Sequence, residues 1–128
     1  MPKQDVQVKE LGEIRGYSVV KAVPNRAALV NDLKPGVILI FHGKEGGNMV
    51  VEVFTPDQNG DKVLPPLKAA AYKFAGSSDK VDNAYASVLF WALNNGVSLG
   101  SPTREVYLKV DKNQSPPEVE VEVQIPIS

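Results

Sequence analysis

Glu105 and Tyr107 stand two positions apart in the run Arg104-Glu105-Val106-Tyr107-Leu108. In an extended strand residues i and i+2 share a face, so this spacing sets a carboxylate beside a phenol and turns Val106, Leu108 and Val110 to the other side. An acid held among rings suits an organic cation, because the ligand's charge offsets the cost of desolvating the carboxylate. The competing reading is a solvated strand-face acid paired with Lys109 or Lys68. Cations also sit favourably over aromatic faces, at about 0.5 to 2 kcal/mol each. Tyr107, Tyr72, Tyr85, Phe41, Phe54, Phe74 and Trp91 are the candidates for such a cage. Trp91 lies off the main stripe of its helix and Tyr72 faces opposite to Lys73, so Tyr107, Trp91, Tyr72 and Phe41 are the rings expected at a ligand.

Other chemistries find little support. The chain has no cysteine, which excludes disulfides, thiolate metal sites and thiol nucleophiles. His42 is the only histidine; it suits a loop-edge imidazole better than a haem ligand, and a zinc site needs more nitrogen or sulfur donors than lie nearby. No metal and no cofactor are expected. Gly43-Lys44-Glu45-Gly46-Gly47 lacks Walker spacing and precedes a strand, so it reads as a hairpin turn. No serine sits in a Gly-x-Ser-x-Gly setting. A formal charge of −1 leaves no electrostatic footprint for nucleic acid. No apolar run approaches the roughly 20 residues that span a bilayer, and the polar start Met1-Pro2-Lys3-Gln4-Asp5 has no signal-peptide core, so no membrane contact and a cytoplasmic home are expected.

The 128 residues are enough for one core. Alternation predicts strands at Val6–Leu11 and Tyr17–Val20, with Gly12 and Gly16 marking a bend or a close backbone approach. Pro24 opens a short helix, Asn25 to Leu33. Val37–Phe41 and Met49–Phe54 form a hairpin, and Thr55–Asp61 is a polar turn between two halves. Lys68–Phe74 follows two prolines and reads as a strand, with a short helix as the alternative. After a Ser78 or Asp79 cap, Val81, Ala84, Tyr85, Val88, Leu89 and Ala92 recur at helical spacing; Phe90, Trp91 and Leu93 widen the apolar surface, so cover on more than one side is expected before Asn94-Asn95-Gly96. Strands at about Arg104–Val110 and Glu118–Ile125 close the chain.

The order strand, helix, strand, strand occurs twice, in halves of about 1–58 and 59–128. Val51-Glu52-Val53-Phe54-Thr55-Pro56 aligns with Val121-Glu122-Val123-Gln124-Ile125-Pro126, 70 positions on, with four of six residues identical. Ile14-Arg15 aligns with Leu67-Lys68, 53 positions on, which places a gain of 17 residues around the second helix. The fold expected is α+β: duplicated strand-helix-strand-strand modules in a curved antiparallel sheet with one long and one short helix.

Ala70-Ala71-Tyr72-Lys73-Phe74-Ala75-Gly76, the helix through Leu89-Phe90-Trp91-Ala92-Leu93-Asn94-Asn95-Gly96, Ser101 to Leu108, and Glu122-Val123-Gln124-Ile125-Pro126-Ile127 together resemble the gyrase-inhibitory-protein-like (GyrI-like) family. That family supplies the small-molecule effector-binding domain of many bacterial transcription activators. The resemblance is clearest over roughly the last 60 residues; the first helix, Asn25 to Leu33, is shorter than the family's. It implies a single domain over residues 1–128, two modules about a pseudo-twofold axis, and a cleft between them with Glu105 at the position of its acid. The function implied is binding of a small hydrophobic, amphipathic or cationic molecule by a stand-alone domain. The alternatives are a hydrolase of reactive small molecules using Glu105 with Tyr107, as in members similar to hydrolases of cyclopropane rings, and a protein-interaction module acting on a larger enzyme such as gyrase.

Overall fold

The computed structural model describes residues 6–128. Eight strands run in chain order as β1 (Gln7–Leu11), β2 (Ile14–Val23), β3 (Ile38–Glu45), β4 (Asn48–Pro56), β5 (Lys62–Leu64), β6 (Leu67–Ser77), β7 (Thr103–Asp111) and β8 (Glu118–Pro126). A two-turn 3-10 helix, Arg26–Asp32, lies between β2 and β3, and one long helix, α1 (Asp82–Asn95), lies between β6 and β7. All strands join one antiparallel sheet in the order β1-β6-β8-β7-β3-β4-β2-β5. The order is palindromic under exchange of the halves: β1 matches β5, β2 matches β6, β3 matches β7 and β4 matches β8. The duplicated modules expected from sequence are therefore present, each lending its leading strand to the outer edge of the other.

Two short links bend this sheet. Gly12 and Glu13 alone join β1 to β2, and Pro65 and Pro66 alone join β5 to β6, yet each link connects strands six places apart in the sheet. Six spacings of a flat sheet are about 29 Å at about 4.8 Å each. Two residues bridge at most about 11 Å, three Cα steps of about 3.8 Å. The sheet must therefore curl until its edges approach. Arg104 on β7 donates to the Pro65 carbonyl at 3.2 Å, so the links close over the face that carries Arg104.

The outer face holds the main core. Leu39, Val51, Ala70, Tyr107, Val121, Val123 and Ile125 of the strands pack against Leu29 and Leu33 of the 3-10 helix region and Val81, Ala84 and Val88 of the α1 region. Ile38, Ile40, Phe54 and Leu64 form a smaller cluster inside the curl. Gly46 and Gly47 turn β3 into β4 with φ of 58° and 85°, the doubly positive φ of a type I′ hairpin turn. Gly16 is the close approach its sequence position suggests: the Gly60 backbone lies against it so tightly that a Cβ on Gly60 would meet the Gly16 carbonyl oxygen at 2.1 Å.

Two expectations are corrected, and one strand is added. α1 is covered on one side only, through Ala84, Val88 and Ala92, while Leu89, Phe90 and Leu93 face solvent. Small residues on the packed side let the helix lie close to β6, and nothing among the described residues covers the other. Val110 lies on the outer face beside the main core, because a register shift between Tyr107 and Lys109 resets the alternation. β5 is a strand of three residues that the sequence reading leaves out; Lys62-Val63-Leu64 is too short to show a period.

Candidate functional site

Glu105 sits where the halves meet. The 70-position offset carries Glu52 onto Glu122; Glu52 lies opposite Ile40, and Glu122 opposite Val106. The exchange therefore swaps Ile40 with Val106, and the residue pair midway between them, Leu39 and Glu105, lies on the pseudo-twofold axis. Glu105 is on the outer face, under the helices, and is 0% exposed.

Four donors converge on this carboxylate. Arg26 Nη1 donates to Oε1 at 2.8 Å and Arg26 Nη2 to Oε2 at 3.1 Å. The Tyr107 hydroxyl donates to Oε1 at 2.7 Å and the Tyr85 hydroxyl to Oε2 at 2.6 Å. An ionised carboxylate offers about four lone-pair positions, so none is left over. The Arg26 guanidinium carbon lies 5.3 Å from the centre of the Phe41 ring, within cation–π range. Its Nη2 also reaches Asp82 at 3.2 Å, whose side chain is 83% exposed. Thr103 Oγ1 lies 3.3 Å from the Tyr85 hydroxyl.

Local folding positions each group. Period-two alternation brings Glu105 and Tyr107 to one face. Asn25 caps the 3-10 helix by accepting from the Ala28 N–H at 3.2 Å, and this fixes Arg26 as the first helical residue. α1 starts at Asp82, which puts Tyr85 in its first turn. Charge follows geometry. Burial by itself lowers the Arg26 pKa, but the charge and hydrogen bonds of Glu105 outweigh it and the net shift is upward. Burial first, and then the negative Glu105, push the phenols of Tyr85 and Tyr107 far up, so both stay protonated and serve as donors.

The sequence candidates divide. Glu105, Tyr107 and Phe41 come together. Tyr72 is in the same cross-strand row, but Val123 stands between it and Glu105, about 10 Å away at two strand spacings. Trp91 is half-buried against the main core, six positions beyond Tyr85 and thus about 9 Å further along the helix. Sequence reasoning did not place Tyr85, one of its aromatic candidates, at the ligand, and it missed Arg26 altogether. Its one signal was a cation in the first turn of a helix, an end that favours anions and so calls for a compensating acid.

Beside this cluster a cavity of about 70 Å³ opens among Arg26, Leu29, Val30, Leu39, Tyr107 and Pro116. Pockets for drug-sized ligands run to about 300–1,000 Å³, so the space is that of a ligand group and not of a whole organic ion. A second cluster of charge lies inside the curl. Glu52, 2% exposed, accepts from Lys62 and lies 2.9 Å from His42 Nε2. Its counterpart Glu122 accepts from Lys9 at 2.7 Å and from Gln124 at 2.7 Å. Lys9 and Lys62 are 53 positions apart, the same offset as Ile14 and Leu67. The two halves thus repeat one ion pair between the edge strand and the strand third from that edge. Among the described residues no group of three or more metal-ligating side chains converges, and no helix is long and apolar enough to cross a membrane.

No family model and no curated protein matches the chain. Solved structures do. The crystal structure of the EcmrR C-terminal domain superposes with a TM-score of 0.80 at 25% identity, covering 97% of each chain. EcmrR in its complex with DNA matches with a TM-score of 0.73 at 23% identity; this chain spans 57% of that one and is itself covered over 97%. SAV2435 bound to tetraphenylphosphonium matches with a TM-score of 0.62 at 14% identity, covering 97% of this chain and 94% of that one. The latter two likenesses are of fold alone.

Proposed function

We propose that this chain is a GyrI-like effector-binding domain whose ligand is an amphipathic organic cation, held by Glu105 with Tyr107, Tyr85 and Phe41. One observation carries the reading: the protein's own guanidinium already lies over Phe41 and against Glu105. A site that holds one cation between an acid and a ring has the recognition chemistry for another. The fold is shared with a domain of EcmrR and with SAV2435, which was solved bound to tetraphenylphosphonium.

Binding in this reading is an exchange. The ligand's charge replaces Arg26 at Glu105, and Arg26 turns outward to Asp82, which it already touches. Apolar parts of the ligand enlarge the small cavity by shifting the 3-10 helix, a seven-residue element anchored chiefly by Leu29 and by the Lys21–Asp32 ion pair. Since affinity falls by the fraction of molecules in the competent state, Arg26 weakens binding by about 10- to 100-fold if its release costs about 1.4 to 2.8 kcal/mol. Tyr72 and Trp91 lie too far from Glu105 to touch the charged group and would meet only the far end of a large ligand. The hydrolytic alternative has a harder task, because a carboxylate with every acceptor position filled cannot take a proton until Arg26 leaves.

Calorimetric titration with tetraphenylphosphonium tests the proposal. R26Q should bind it about 10-fold or more tighter than wild type, and E105Q should lose binding. Equal affinity in all three proteins defeats the exchange.

A further inference from the structure

The face of the sheet turned away from Glu105 carries a second, larger cavity. It measures about 350 Å³ and lies inside the curl, under the Pro65-Pro66 link. Ile40, Leu64, Leu67 and Pro126 give it apolar walls, and Arg104, Glu52, Lys62 and His42 form its charged end. This volume is within the range of small-molecule sites, and the pattern of apolar walls with a few convergent polar groups is theirs too.

The charges at that end do not cancel. Among the described residues that line the cavity, Arg104 and Lys62 are set against one acid, Glu52. Both Glu52 oxygens are engaged, Oε1 with His42 and Oε2 with Lys62. Arg104 is 4% exposed; its Nη2 donates to Pro65 O, while its Nη1 is buried and has no hydrogen-bond partner among the described residues. Arg104 and Glu52 flank Ile40 in one cross-strand row, two strand spacings apart, about 10 Å. Burial pulls the guanidinium below its ordinary pKa, and the charge of Glu52 offsets this only in part. A buried donor left unpaired costs about 1–3 kcal/mol, more when it is charged. What Arg104 lacks is an acceptor, preferably anionic.

We propose that this cavity is a second ligand site, for a small carboxylate with an apolar body, in which Arg104 receives the carboxylate and the apolar walls receive the rest. Adjacent residues on β7 alternate faces, so Arg104 serves the inner site and Glu105 the outer one. The inference is independent of the cation reading.

Octanoate is a suitable probe, with the uncharged octanol and octanamide as controls of equal apolar length. In amide NMR spectra of the wild-type protein, octanoate should shift Ile40, Leu64 and Arg104 saturably, and calorimetry should show the two controls binding at least 10-fold more weakly. R104Q should weaken octanoate by about 10-fold or more, the loss of one charge-assisted contact. S101W, at an exposed position on the cavity rim, should block binding with the melting temperature unchanged, which keeps the test valid if R104Q folds poorly. The proposal is overturned if octanoate does not saturate, if the controls bind equally well, if S101W binds like wild type, or if the shifts centre on Tyr85 and Glu105.

Discussion

Replacing Arg26 by methionine keeps most of the apolar stem and removes the guanidinium, which leaves Glu105 in a fully buried place with two of its four donors. Removing one member of a buried ion pair costs about 3–5 kcal/mol, because the remaining charge has lost its compensation. The hydroxyls of Tyr85 and Tyr107 still reach Glu105, so the lower end, about 3 kcal/mol, is expected. The reverse change, E105Q, should cost less, about 1–2 kcal/mol. Arg26 keeps 22% of its side-chain exposure and can rely on water and Asp82, and the new amide oxygen can still accept a hydrogen bond. The double variant should recover part of the loss, giving a coupling energy of about 1–3 kcal/mol. Urea melts at neutral pH measure all three. For a chain of this size the R26M loss corresponds to a fall in Tm of roughly 10 °C. The reasoning fails if E105Q costs as much as R26M or more, or if the cycle closes with no coupling, since either result would mean that Arg26 is not the partner that compensates the burial of Glu105.

Four further expectations follow from the same geometry. Tetraphenylphosphonium at 100 times its Kd should restore about 2.7 kcal/mol to R26M, read as a rise in Tm; no rise means that the ligand does not take the place of the guanidinium. Hydrogen bonds from Lys62 and His42 to Glu52, and from Lys9 and Gln124 to Glu122, outweigh burial and hold both acids below the ordinary value of 4.5. Their contribution is therefore complete above about pH 4.5 and lost as pH falls through the depressed values, so E52Q/E122Q should flatten the acid limb of stability against pH. Tyr85 and Tyr107 are held protonated above the usual value of 10.0, burial being the larger cause and Glu105 the next. Their contribution is present below pH 10 and fades above it as the unfolded chain ionises; absorbance at alkaline pH should show two of the four tyrosines appearing only with unfolding. G60A should destabilise by more than about 2 kcal/mol, because its Cβ would lie 2.1 Å from the Gly16 carbonyl oxygen and neither backbone can withdraw; a melting curve like that of wild type would refute the tight approach.

Local periodicity, by itself, settled a good part of this protein. Alternation put Glu105 and Tyr107 on one face, because side chains of a strand repeat every two residues whatever the strand pairs with. The paired glycines at 46 and 47 marked a hairpin, since only glycine takes two successive positive φ values without strain. The repeated Val-Glu-Val run exposed the duplication, and Lys68–Phe74 is within a strand as its prolines and closing Gly-Ser-Ser predicted. The tertiary structure decided the rest, for reasons of distance and curvature. Arg26 meets Glu105 across 79 residues, and no local pattern names a partner that only the docking of the 3-10 helix brings near. Leu89, Phe90 and Leu93 read as core because helical spacing reports which residues are apolar, not how many neighbours are available to cover them. Arg104 carries no local signal of its own; it is a buried, half-satisfied donor only because two two-residue links, each too short for a flat sheet, close the curl over its face.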